Sequence, residues 1–142
     1  METMSAIALG AGAAAGIALA VLLASAKSRR ERRRAALRAA AFPKKWERIL
    51  AGTTPLYRRI PPELKRELHG HVHVFLAEKK FVGCRGQAID DEVRLTIAAQ
   101  ACALLLNRPP RYYPTLREIF VHPTSYVRTT RVASDEFGPA LG

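Results

Sequence analysis

From Met4 to Ala26 the chain runs for 23 residues without a charge, mostly Ala, Leu, Ile, Val and Gly. As a helix this run rises about 34 Å at ~1.5 Å per residue, enough to cross a hydrocarbon core of about 30 Å. A buried core helix is the competing reading. Such a helix in a small domain normally keeps a polar face, and this run has none. The flanking charges define the type of segment. A secretory signal carries its positive charges ahead of the apolar run, whereas only Glu2 precedes this one. Lys27, Arg29, Arg30, Arg32, Arg33 and Arg34 follow it, with Glu31 alone against them. Basic residues stay on the cytoplasmic side. Residues 1–27 therefore read as a single-pass anchor of the inner membrane, N-terminus outside and everything after Lys27 in the cytoplasm. Gly12-x-x-x-Gly16 has the spacing that pairs membrane helices, although an Ala/Gly-rich segment produces it readily by chance.

The formal charge of +11 invites a nucleic-acid reading until it is followed along the chain. Residues 27–48 hold ten Lys/Arg and two Glu, net +8, while residues 49–142 hold thirteen and nine, net +4. The excess sits beside the apolar run. There Lys27, Arg29, Arg30, Arg32, Arg33 and Arg34 are membrane-surface candidates, each worth about 1 kcal/mol of attraction to anionic lipid head groups. The remainder has no basic stripe with interleaved aromatics, which argues against a nucleic-acid partner. Cys84 and Cys102 are too few for a metal site and, in a cytoplasmic domain, read as free thiols.

Residues 28–41, Arg- and Ala-rich, read as a basic juxtamembrane helix or linker that prolongs the anchor, and Pro43 ends or redirects it. The domain proper spans 42–142. Trp46, Ile49 and Leu50 at i, i+3, i+4 predict a short amphipathic helix, stopped by Gly52 and Pro55. Pro61-Pro62-Glu63 opens the next helix, whose apolar stripe is Leu64, Leu68, Val72, Phe75 and Leu76. Gly83 to Gly86 is a turn. Asp90 is an N-cap candidate with Asp91 and Glu92 in the first turn. Only Thr96 and Gln100 are polar between Leu95 and Leu106, which predicts the buried central helix. Ile119-Phe120-Val121 is a short β-prone run, and from Thr129 the chain has little to pack.

The most conspicuous chemistry is His69-Gly70-His71-Val72-His73. On a strand the three rings would share a face and could approach a metal together. On a helix His71 sits about 160° from His73 at 100° per residue, so the trio splits. The flanking stripe favours the helix. His69 and His73 have the i, i+4 spacing of a zinc pair, but Gly70 stands where a general-base glutamate would follow His69. A phosphate loop, a G-x-S-x-G elbow and a C-x-x-C pair are absent from the sequence. Asp90, Asp91 and Glu92 read as a helix cap, and Cys102 as a buried thiol. From its own residues the chain presents no convincing active site.

Taken in order, several landmarks resemble the Mlc titration factor A family of bacterial zinc-dependent peptidases. They are Phe42-Pro43, Trp46 with Ile49-Leu50, Pro62-Glu63-Leu64 and Phe75-Leu76-Ala77-Glu78-Lys79. Phe81-x-Gly83, Asp91-Glu92, Ile97-Ala98-Ala99-Gln100-Ala101 and Leu104-Leu105-Leu106 follow, then Tyr113 and Ile119-x-Val121-x-Pro123. The resemblance implies an α+β metallopeptidase with aminopeptidase-like action. Its zinc would be held downstream by a helix bearing His-Glu-x-x-His, where zinc lowers the pKa of a bound water and the glutamate takes the proton. It also implies a possible protein partner, since the best-known member binds a sugar-responsive transcriptional repressor. The 142 residues contain no His-Glu-x-x-His, so no catalytic or metal residue carries over. His122 stands where the family usually has Tyr.

The expected protein is mainly α, the front half of an α+β metallopeptidase, membrane-anchored and catalytically incomplete, with one or two short strands whose partners lie in missing sequence. A non-enzymatic, membrane-tethered binding module is the alternative. A metal site at His69, His71 and His73 is a third.

Overall fold

The computed structural model describes residues 2–123; the tail from Thr129 lies outside them. Five helices and two strands follow in order. They are α1 (Glu2–Ala39), α2 (Lys44–Thr53), α3 (Pro55–Arg59), α4 (Pro62–Glu78), β1 (Lys80–Gly83), α5 (Asp91–Ala103) and β2 (Glu118–Val121). The fold is mostly helical, with one long apolar N-terminal helix.

α1 is continuous from the apolar run through the basic stretch. Within its described apolar part, Ile17, Leu19, Val21, Leu22 and Leu23 are all exposed, and the helix is long and apolar enough to cross a membrane. The Ser25 hydroxyl donates to the Leu22 carbonyl at 2.8 Å, so it offers no free donor to an apolar surrounding. Further along, α1 docks on α4. The two run antiparallel: Arg38 lies against Gly70, Leu37 packs on the cluster containing Val74, and Arg34 reaches Glu78. The basic stretch is thus a packed helix of the fold.

Proline and acid residues punctuate the other helices as chain chemistry predicts. Pro62 occupies the first turn of α4, with Glu63 beside the positive helix end. The Asp90 carboxylate accepts from the Val93 N–H at 2.9 Å and caps α5. Gly52 does not stop α2. It lies inside the helix, which ends at Thr53 because Pro55, at the first turn of α3, restarts the chain.

The core forms where α4 crosses α5 and α2 closes over them. Leu50, Leu68, Val72, Phe75, Leu95, Ala98, Ala99 and Cys102 are all buried. Burial pushes the Cys102 thiol up to about 12, which leaves it inert at neutral pH. The expected core helix of Leu95–Leu106 ends early. After Ala103 the chain turns through Asn107, whose φ of 58° is a conformation asparagine tolerates, and Leu104 is left exposed.

β2 was expected to want a partner from outside the chain. Instead β1 pairs with it in parallel, Lys80 opposite Glu118 through Gly83 opposite Val121, with α5 in the crossover. Gly83 is required at the end of β1, because a Cβ there would collide with the Gln87 carbonyl oxygen. Lys79 ties the unit together. It is buried, and its ammonium donates to the carbonyls of Tyr113 at 2.8 Å and Leu116 at 2.7 Å, just before β2. Lys79→Met should strand both carbonyls and cost about 2 kcal/mol. Urea unfolding checks the magnitude, and faster amide exchange in β2 checks the location; unchanged exchange there would remove the clamp role.

Candidate functional site

The three histidines lie on α4, and the helix divides them as its geometry requires. His69 stacks flat on Phe42, centroids 3.9 Å apart and planes 6° apart, and its Nε2 pairs with the Tyr57 hydroxyl at 2.8 Å. His73 lies among the same aromatics, 5.3 Å from Phe42 and 5.5 Å from Trp46. Its Nε2 is buried with no hydrogen-bond partner among the described residues. His71 faces the other way, toward α1 and the loop after α5. Its Nδ1 lies 2.8 Å from the Tyr112 hydroxyl and its Nε2 3.3 Å from Glu67 Oε1. A carboxylate can only accept, so Nε2 carries the proton for Glu67 and Nδ1 accepts from Tyr112. Glu67 Oε1 also accepts the Asn107 N–H at 3.2 Å, joining α4 to the end of α5.

Burial lowers the pKa of His71 more than its Glu67 partner raises it. Burial is also the main cause of the lowered value of His69. Both rings are therefore neutral at pH 7, which suits a ligand, yet the donor set does not fit zinc. His71 has both nitrogens engaged, His69 is held by Tyr57, and His73 points into an aromatic cluster. No group of three His, Cys, Asp or Glu among the described residues could hold a metal ion. Dialysed protein should retain no stoichiometric zinc or nickel. His71→Ala should act on stability, by about 2 kcal/mol, through the buried space it leaves in α4 and the lost hydrogen bonds to Tyr112 and Glu67. Stoichiometric metal that His71→Ala abolishes would reverse that assignment.

The six basic residues after the apolar run divide into two kinds. Arg34 is committed within the fold: its Nε and Nη2 grip the two oxygens of Glu78 at 2.7 and 2.8 Å, and its guanidinium lies 4.8 Å over the Tyr112 ring. Arg30 adds a contact to the same carboxylate at 3.2 Å. Lys27, Arg29, Arg32 and Arg33 are exposed and make no ion pair among the described residues. Sequence reasoning missed Glu78, Glu67, Tyr112 and Lys79 as organising residues. Apart from the i, i+4 pairing of Glu67 with His71, their partners lie more than thirty positions away, which no local pattern records.

Residues 27–138 match the family model described as glucose-regulated metallo-peptidase M90. The chain belongs to this family. The match agrees with the resemblance carried by the motifs, and it begins at Lys27, so the docked basic end of α1 falls inside the family's sequence and the apolar run ahead of it. An uncharacterized protein of Synechocystis sp. is 39% identical over 84 residues, covering 59% of this chain and 30% of the relative. The chain thus spans less than a third of the length of the curated relative it matches. No solved structure matches significantly. Family membership implies a metal. The described residues form a mostly helical scaffold and include no group of three His, Cys, Asp or Glu placed to hold a metal, and the N-terminal helix has the length and composition of either a membrane span or a signal sequence.

Proposed function

We propose that these residues form the membrane anchor and N-terminal scaffold of a zinc-dependent, aminopeptidase-like metallopeptidase, whose zinc and catalytic groups belong to sequence beyond them. The family match over residues 27–138 carries the reading. Its corollary is that peptide hydrolysis belongs to a longer polypeptide, as the matched segment makes up only 30% of the Synechocystis relative. The exposed apolar face of α1 and the basic residues after it support a single-pass anchor in the inner membrane, N-terminus outside and domain in the cytoplasm. Lys27, Arg29, Arg32 and Arg33 would meet anionic head groups.

The test is complementation. The chain alone should hydrolyse no chromogenic aminopeptidase substrate, with or without zinc. Co-expression with the His-Glu-x-x-His-bearing portion of an M90 family member should restore hydrolysis that a chelator removes. Hydrolysis by the chain alone, or none after co-expression of a pair shown to associate, would refute the scaffold role.

A second reading has an observation of its own. Phe120 on β2 and Leu116 before it are exposed beside a sheet edge that no further strand among the described residues covers, a surface suited to a protein partner such as the family's repressor. Zinc-independent capture of a repressor, lost in Phe120→Ser, would favour this non-enzymatic role.

A further inference from the structure

The antiparallel packing of α1 on α4 has a directional result. Arg38 meets Gly70 while Arg34 and Arg30 meet Glu78, so the C-terminal end of α4 lies beside the part of α1 nearest the apolar run. Arg30 and Arg34 stand only about 6 and 12 Å along the helix from Ala26. Two open grooves meet there, with Ala77 and Glu78 as their common wall. One, of 510 Å³, lies between the helices and is lined by Arg29, Arg30 and Arg33. The other, of 420 Å³, lies over the corner of α4 and β1 and adds Lys80 and Arg94.

The charges in these grooves favour an anion. Glu78 is the acid in both linings, and both of its oxygens are already taken by Arg34 and Arg30. Arg29 and Arg33 are exposed and unpaired among the described residues. Lys80 meets Glu118 at 3.1 Å in a pair exposed on both sides, which gives way readily to a better anion. Arg94 lies 5.6 Å over the Phe81 ring and makes no ion pair among the described residues. The grooves are too open to hold a free ion against water. A bilayer surface holds its head groups in place at high local density, so openness is no obstacle there.

We propose that the paired grooves bind the phosphate of an anionic phospholipid, with Arg29 and Arg33 as principal contacts and Lys80 and Arg94 completing the site from the folded domain. The proposal rests on the reading of α1 as a membrane span. It goes further by assigning head-group contacts to residues 41 and 55 positions beyond the end of α1, Lys80 and Arg94. The folded domain then touches the membrane surface with a defined face.

The test uses the full chain, isotope-labelled, in zwitterionic micelles, with short-chain phosphatidylglycerol titrated in. The amides of Ala77 to Phe81 should shift saturably. Arg29→Gln with Arg33→Gln should weaken the midpoint about thirty-fold without disturbing the fold, since two surface charges are lost. Lys80→Gln should weaken it several-fold. Absent shifts, or an unchanged midpoint in the double variant, would overturn the site. Inorganic phosphate producing the same shifts at the same concentration would overturn the lipid assignment in favour of a free anion. Alkaline extraction of native membranes separates the underlying reading. A chain released by carbonate ends both the span and the lipid site; a chain retained, with no shift at Ala77, ends the lipid site alone.

Discussion

Gly70→Leu should detach α1 from the rest of the protein. A Cβ at position 70 would already stand 3.2 Å from the Arg38 carbonyl oxygen and 3.3 Å from its Cα, and these are backbone atoms that cannot swing aside. A leucine forces the helices apart, and with them go the Leu37 contact on the Val74 cluster and the Arg34 grip on Glu78. The expected cost is about 3 kcal/mol. In detergent-solubilised protein, Arg34 and Arg38 should become early trypsin sites while the α4–α5 core stays protected. Gly70→Ala provides the contrast. Its single methyl is tight but the shift required is a few tenths of an ångström, and alanine gains about 1 kcal/mol of helix propensity over glycine. Gly70→Ala should therefore remain near wild-type stability with Arg34 protected. Early cleavage in both variants, or in neither, would contradict the close-approach role.

Glu78→Gln should cost about 2 kcal/mol at neutral pH and abolish an acid transition. The bidentate Arg34 contact, backed by Arg30, holds the Glu78 carboxyl down at about 2. A carboxylate whose folded value is depressed gives stability above its ordinary value of about 4.5, lost as pH falls toward about 2. Glu78 and Arg34 are each about 15% exposed, so the pair is screened less than a surface bridge, whereas Arg30 at 56% adds little. Unfolding free energies of wild type and variant should thus differ at pH 7, still differ in part at pH 3 and converge only near about pH 2. A difference that persists undiminished in acid would mean that Glu78 acts through packing.

Local signals were legible because their physics is local. Asp90 caps the turn that follows it, Pro62 opens its own helix, and the 69–71–73 spacing splits on any helix whatever surrounds it. The family, too, could be read from short motifs in order. What could not be read depended on distant partners. Lys80–Gly83 has no alternation of its own and becomes a strand because Glu118–Val121 lies beside it. Lys79, between Glu78 and Lys80, has the neighbours of a solvated lysine and is buried because carbonyls 34 and 37 residues away receive its ammonium. Arg34 is indistinguishable in sequence from Arg33. Yet one is locked to Glu78 and the other faces outward, a difference of one helical step. The histidines followed the same rule. Their separation was foreseeable, but the Tyr112 and Tyr57 hydroxyls that occupy them were not.

The unbroken course of α1 makes it a shaft rather than a tether. Apolar run and docked segment share one set of backbone hydrogen bonds, so the domain inherits the azimuth of the helix. One residue inserted between Ala26 and Arg29 would raise the domain by only about 1.5 Å but turn it by about 100°. Three or four would nearly restore its bearing. Length along this stretch is therefore an angular coordinate, and natural variation in it should come in whole turns.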